Sequence, residues 1–107
     1  MPSFRQRPWA ALGLAVALID SAWAEPAAQA LHQRALAATC ASCHGSEGRA
    51  VEGAGHTALR GLGQDYIVKQ MSAFRDGSRP ATVMHQLAKG YTAEQIDQLA
   101  AYFAAPQ

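Results

Sequence analysis

The feature that most constrains this chain is Cys40-Ala41-Ser42-Cys43-His44, a C-x-x-C-H run. Thiols three residues apart lie on one side of a helical turn. That pattern reads as covalent attachment of a c-type haem. The thiols bond the two vinyl groups along one haem edge, and the histidine that follows brings an imidazole nitrogen to the iron. The chain has 107 residues and only two cysteines, both inside the motif. Rival uses of the motif are a redox-active dithiol, a structural disulfide or half of a zinc site. A thioredoxin-like dithiol sits in a βαβ pattern, and no strand alternation is present. A zinc site needs more ligands at suitable spacing.

The N-terminal stretch reads separately. Arg5 and Arg7 precede an apolar run from Trp9 to Ile19, followed by the small-x-small run Ala22-Trp23-Ala24. This is the pattern of a secretory signal peptide over residues 1–24, leaving 25–107 as one small domain. The apolar run is short for a membrane span, so a retained anchor is the lesser alternative and no stable membrane insertion is expected. Export implies the periplasm, where c-type haem is attached. Cleavage would remove Arg5, Arg7 and Asp20 and leave seven basic and seven acidic residues. So balanced a charge excludes nucleic acid as a partner, because that interaction needs a basic face. A domain this small buries a modest core and usually needs a staple. A thioether-bound haem supplies one, with an apolar plate to pack against.

The remaining pattern is all-α. Leu31, Ala35 and Ala38 recur at helical spacing, which predicts a helix over Pro26–Thr39 that ends at the cysteine motif. Six glycines between Gly45 and Gly63 mark a long loop. Ile67, Met71 and Phe74 share one face of a second helix, with Gly77 as its stop. Arg79-Pro80 breaks the chain before a short segment, Thr82 to Lys89, that ends at Gly90. Thr92-Ala93-Glu94-Gln95 is a capping-box pattern, and Ile96, Leu99, Ala100 and Phe103 form the apolar face of the last helix.

His44 is the candidate first ligand of the haem iron. Its other ring nitrogen needs an acceptor, for which a backbone carbonyl between Gly53 and Leu59 is the expected source. Met84 is the candidate opposite ligand: it lies behind a proline turn, whereas Met71 shares a helix face with core residues. His85, His56 and an open site remain the alternatives. A methionine thioether favours ferrous iron and raises the potential, which suits an electron carrier. Tyr102 and Phe103 are read as core aromatics against the first helix. Lys69, Arg75, Arg79 and Lys89 are read as scattered surface charges, with a steering rim at the haem edge as the rival reading.

The order of signal, helix, C-x-x-C-H, glycine loop, methionine and final amphipathic helix resembles the class I cytochromes c over most of Leu31 to Ala104. That resemblance implies three main helices plus a short one around one covalently bound haem c, the first and last helices crossing, with His44 and Met84 at the axial positions. The runs Phe74-Arg75-Asp76-Gly77-Ser78-Arg79-Pro80-Ala81-Thr82-Val83-Met84 and Ala88-Lys89-Gly90-Tyr91-Thr92 look, more narrowly, like the cytochrome subunit of flavocytochrome c sulfide dehydrogenase. In that family a separate FAD subunit oxidises sulfide and passes electrons to the haem subunit, and a downstream acceptor takes them on. The resemblance therefore implies an FAD-containing sulfide dehydrogenase subunit as partner, a docking stretch over Arg79 to Tyr91, and no catalysis by this chain alone. Two alternatives stand: a free carrier between a respiratory complex and a terminal oxidase or reductase, and a haem enzyme with an open axial site. One departure is local. Relatives often carry a proline two residues before the loop leucine, and here Thr57 holds that place before Leu59.

Overall fold

The computed structural model describes residues 9–106. Arg5 and Arg7 of the expected signal lie outside the described residues. Five helices occur among the described residues, with no strand: α1 (Trp9–Ala38), α2 (Ala41–His44), α3 (Gln64–Asp76), α4 (Met84–Leu87) and α5 (Ala93–Ala104). Two single tight turns, Ser46–Gly48 and Ala88–Gly90, complete the regular structure. The chain divides after Leu31 into two compact units.

The first unit, from Trp9 onward, is the leading part of α1. The sequence pattern predicts a helix starting at Pro26, whereas the helix begins at Trp9 and runs through that proline. Proline removes one backbone N–H and crowds the preceding turn, at a cost of about 3 kcal/mol inside a helix. The alanine-rich sequence on both sides favours helix strongly enough to continue across it. Among the described residues no helix is long and apolar enough to cross a membrane.

The second unit, from His32, holds the site. α1 ends where Thr39 N–H and Thr39 Oγ1 both bond the Leu36 carbonyl, at 3.2 and 2.7 Å. That closure turns the chain, so the cysteine motif does not ride on the end of α1. It forms α2, a turn of its own, with His44 N–H on the Cys40 carbonyl at 2.9 Å. α3 ends at Gly77, whose φ of 85° is the left-handed stop expected of a glycine. α5 starts with the expected capping box: Thr92 Oγ1 accepts from Gln95 N–H at 3.1 Å, and Gln95 Oε1 accepts from Thr92 N–H at 2.9 Å.

The core lies where three helices meet. Ala37 from the end of α1, Ile67 from α3, and Leu99, Ala100 and Phe103 from α5 form one buried cluster. Cys40, Leu59, Leu62, Met71, Tyr91 and Tyr102 pack around it, partly buried. Gln33 Nε2 donates to the Gln98 carbonyl at 2.8 Å and fixes α1 to α5 beside that cluster. The predicted apolar face of α5 is the buried one, and full burial of a side chain such as Phe103 contributes about 1.5–3 kcal/mol. Ile67 is buried and Met71 packs on the core, in line with the expected face of α3.

Candidate haem-binding site

The site residues come from two segments on either side of α3. The first runs from Thr39 to Leu62. Cys40 is partly buried and Cys43 exposed, and both thiols are free. Burial pushes the Cys40 thiol above its ordinary range. His44 is half-buried, and its Nδ1 lies 2.6 Å from the Thr57 carbonyl oxygen. A carbonyl can only accept, so Nδ1 carries the proton and donates. The lone pair is left on Nε2, the nitrogen then available to a metal. The acceptor falls within the 53–59 stretch expected from the sequence. Thr57, where the family resemblance implies a proline, thus supplies the carbonyl. The His56 ring stands 6.0 Å from that of His44, tilted by 56°, and is exposed.

This loop is held by a clamp that the sequence pattern does not announce. Glu47 takes a left-handed conformation, φ 57°, just after the histidine. Arg60 Nη2 donates to Glu47 Oε2 at 3.2 Å, and its Nε donates to the Glu47 carbonyl at 3.0 Å. Arg60 Nη1 reaches across to the Tyr102 carbonyl of α5 at 2.7 Å. The Tyr102 hydroxyl donates to the same Glu47 carboxylate. That bond, and then Arg34, Arg60 and Arg49, hold the Glu47 carboxyl below its usual value, and the same bond pushes the Tyr102 phenol up. The Arg60 guanidinium also lies 4.9 Å from the Tyr102 ring centroid. Tyr102 is thus a polar clamp as well as a core aromatic. Backbone bonds close the same loop: Leu59 and Arg60 N–H share the Gly48 carbonyl at 2.8 and 3.1 Å, and Gly61 N–H bonds the Phe103 carbonyl at 3.0 Å. Gly48 has a φ of 70°, and a Cβ there would meet Phe103 Cδ1 at 2.7 Å. Only glycine lets the loop lie this close to α5.

The second segment runs from Gly77 to Tyr91. Met84 opens α4 and is half-buried, as is His85. His85 Nδ1 is buried with no hydrogen-bond partner. Val83 and Leu87, on either side of Met84, are exposed large apolar residues, 49% and 48% accessible. All four expected surface cations, Lys69, Arg75, Arg79 and Lys89, are exposed. Arg79 is engaged: it donates to Gln70 Oε1, and its guanidinium lies 4.6 Å from the Phe74 ring centroid.

These residues fit a haem. Two free thiols precede a histidine whose tautomer leaves Nε2 for the iron. Exposed apolar side chains flank the methionine, and an orphaned buried nitrogen lies beside it. The chemistry of a zinc centre is less well served, since no group of three His, Cys, Asp or Glu among the described residues clusters as a metal-ion site.

Comparison with known proteins gives the family. The family described as cytochrome C oxidase, cbb3-type, subunit III, matches residues 26–103. A thiosulfate dehydrogenase electron acceptor of Thiomonas intermedia is 39% identical over 92 residues, 85% of this chain and 42% of the relative. A cytochrome subunit of sulfide dehydrogenase from Chlorobaculum tepidum is 40% identical over 68 residues, 64% of this chain and 60% of the relative. The chain thus spans about half the length of these two. It is also 32% identical to cytochrome c-554(548) of Halomonas halodenitrificans, covering 86% of that protein. With a C-x-x-C-H turn, a core of three helices and a match over 26–103, the chain belongs to this family of class I-like c-type cytochromes, whose members hold haem c covalently.

Proposed function

We propose that this chain carries one haem c on Cys40 and Cys43, with His44 and Met84 as the iron's axial ligands, and that it transfers single electrons in the periplasm after loss of residues 1–24. The observation that carries the reading is the 2.6 Å bond between His44 Nδ1 and the Thr57 carbonyl, directly after the two free thiols. It orients the imidazole, fixes its tautomer and makes Nε2 the ligating nitrogen. When bound, the haem supplies a one-electron couple, which His/Met ligation sets at a raised potential. The protein holds the imidazole fixed from the loop side and supplies the thioether from α4. Filled axial positions leave no place for a substrate, which separates this reading from that of a haem enzyme.

The electron donor is a dehydrogenase. The likeness to the cytochrome subunit of sulfide dehydrogenase over 68 residues supports an FAD-containing sulfide-oxidising subunit, docked against Arg79–Tyr91 where Val83 and Leu87 offer apolar contact. A downstream acceptor then reoxidises the haem. The likeness to a thiosulfate dehydrogenase electron acceptor over 92 residues supports a second reading, a diffusible acceptor for thiosulfate oxidation.

The test is purification of the haem-loaded protein from its native periplasm, with and without gentle crosslinking. A stoichiometric FAD protein, and haem reduction that depends on sulfide, is the expected result. Recovery of monomer alone, with reduction driven by thiosulfate and its dehydrogenase, favours the second reading and overturns the first. A haem count other than one per chain overturns both.

A further inference from the structure

A side-chain hydrogen bond between described residues joins the two site segments. Tyr91 Oη and Thr39 Oγ1 lie 2.7 Å apart, across 52 residues of sequence. Its direction follows from counting protons. A threonine hydroxyl has one hydrogen, and that of Thr39 is given to the Leu36 carbonyl at 2.7 Å. Thr39 therefore accepts, and Tyr91 donates. Each end is attached to something rigid. Thr39 is the residue before Cys40, at the closed end of α1. Tyr91 terminates an unbroken hydrogen-bonded path from Met84. Gln86 and Leu87 N–H bond the Val83 carbonyl at 2.9 and 3.1 Å, Ala88 N–H bonds the Met84 carbonyl, and Tyr91 N–H bonds the Ala88 carbonyl at 3.3 Å. Ala88, midway along, is fully buried, and the next residue, Thr92, caps α5. The segment from Met84 to Tyr91 therefore moves as a piece.

We infer that Tyr91 and Thr39 are a positioning pair: their hydrogen bond ties the Met84-bearing segment to the residue beside the first attachment cysteine, and so holds the thioether at its ligating position. The inference rests on the haem reading above.

The experiment titrates the ferric, haem-loaded full chain with imidazole, which competes with a thioether for the iron, at temperatures well below unfolding. A net hydrogen bond of ordinary strength predicts about fivefold tighter imidazole binding in Tyr91→Phe, and the same in Thr39→Val. The double variant binds no tighter than either single one, because one bond is lost only once. Thr39→Ser restores the wild-type value, since it keeps the acceptor. Met84→Ala is the reference and binds imidazole at least tenfold tighter than wild type. Single variants within twofold of wild type, or effects that add in the double variant, overturn the positioning role while the Met84 reading stands. Met84→Ala indistinguishable from wild type overturns both. Should Tyr91→Phe fold poorly, Thr39→Val and Thr39→Ser carry the test from the acceptor side.

Discussion

The two segments that build the site are held in opposite ways. The His44 side, residues 45–62, is crossed by the Glu47–Arg60–Tyr102 clamp, three backbone bonds from its own carbonyls or to α5, and close apposition of Gly48 to Phe103. The Met84 side is internally stiff and meets the residue before the attachment motif through the Tyr91–Thr39 hydroxyl pair. Under the ligation proposed above, the imidazole would lie on the clamped side and the thioether on the segment tied through the hydroxyl pair. The lesson is that the two sides are held by different means: an ionic and backbone clamp around the loop that faces His44, and a hydroxyl pair between the Met84 segment and Thr39.

Four substitutions or conditions break that contrast, from the largest expected effect down. Phe103→Ala removes the side chain against which both the core and Gly48 pack, and should cost about 3–5 kcal/mol in denaturant unfolding. Arg60→Met deletes the cation that reaches Glu47 and the Tyr102 carbonyl together, leaving those acceptors without it; about 2 kcal/mol of stability should be lost. The same variant should also loosen Thr57, read as faster exchange of the His44 ring N–H in proton NMR. If His44 is unaffected, the clamp serves the fold and not the ligand.

The third is pH. The Glu47 carboxyl is held below its ordinary value, so its contribution is present above the unfolded value of about 4.3 and fades as pH falls through the folded one. Tyr102 is shifted the other way: its contribution is complete below about 10 and fades as pH rises through its raised value. Stability should therefore decline at both ends of the range, and Glu47→Gln should flatten both declines. An unchanged alkaline limb in that variant would separate Tyr102 from the clamp. The exposed Arg34–Glu47 pair at 3.5 Å adds little to this, as surface pairs do.

The smallest effect on stability belongs to Tyr91→Phe, about 1 kcal/mol in thermal or denaturant unfolding. A loss matching that of Arg60→Met would erase the contrast between the two sides.

Much of this architecture was legible because it is local. Gly77 stops α3, Thr92 and Gln95 box the start of α5, and Ile96, Leu99, Ala100 and Phe103 face inward, each following from spacing within a few residues. The acceptor for His44 is expected from a carbonyl between 53 and 59, but residue chemistry does not say which, because every residue carries a carbonyl. The start of α1 is not legible in the sequence, since Pro26 is a good first-turn residue and an interior proline gives the same local signal. Glu47, Arg60 and Tyr102 gave no signal. A carboxylate, an arginine and a tyrosine 13 and 42 residues apart look like ordinary surface and core positions until the fold brings them together.

The sequence by itself determined the chemistry available: two thiols and a histidine in five residues, a methionine and a histidine side by side in a proline-led segment, helical periodicity and caps, all of which depend on covalent spacing and short-range hydrogen bonds. Only the tertiary structure decided which His44 nitrogen is left free, which carboxylate and arginine hold the loop, and that Tyr91 donates to Thr39. Those are pairings between groups far apart in sequence, and hydrogen-bond direction is set by which protons remain uncommitted once the chain has folded.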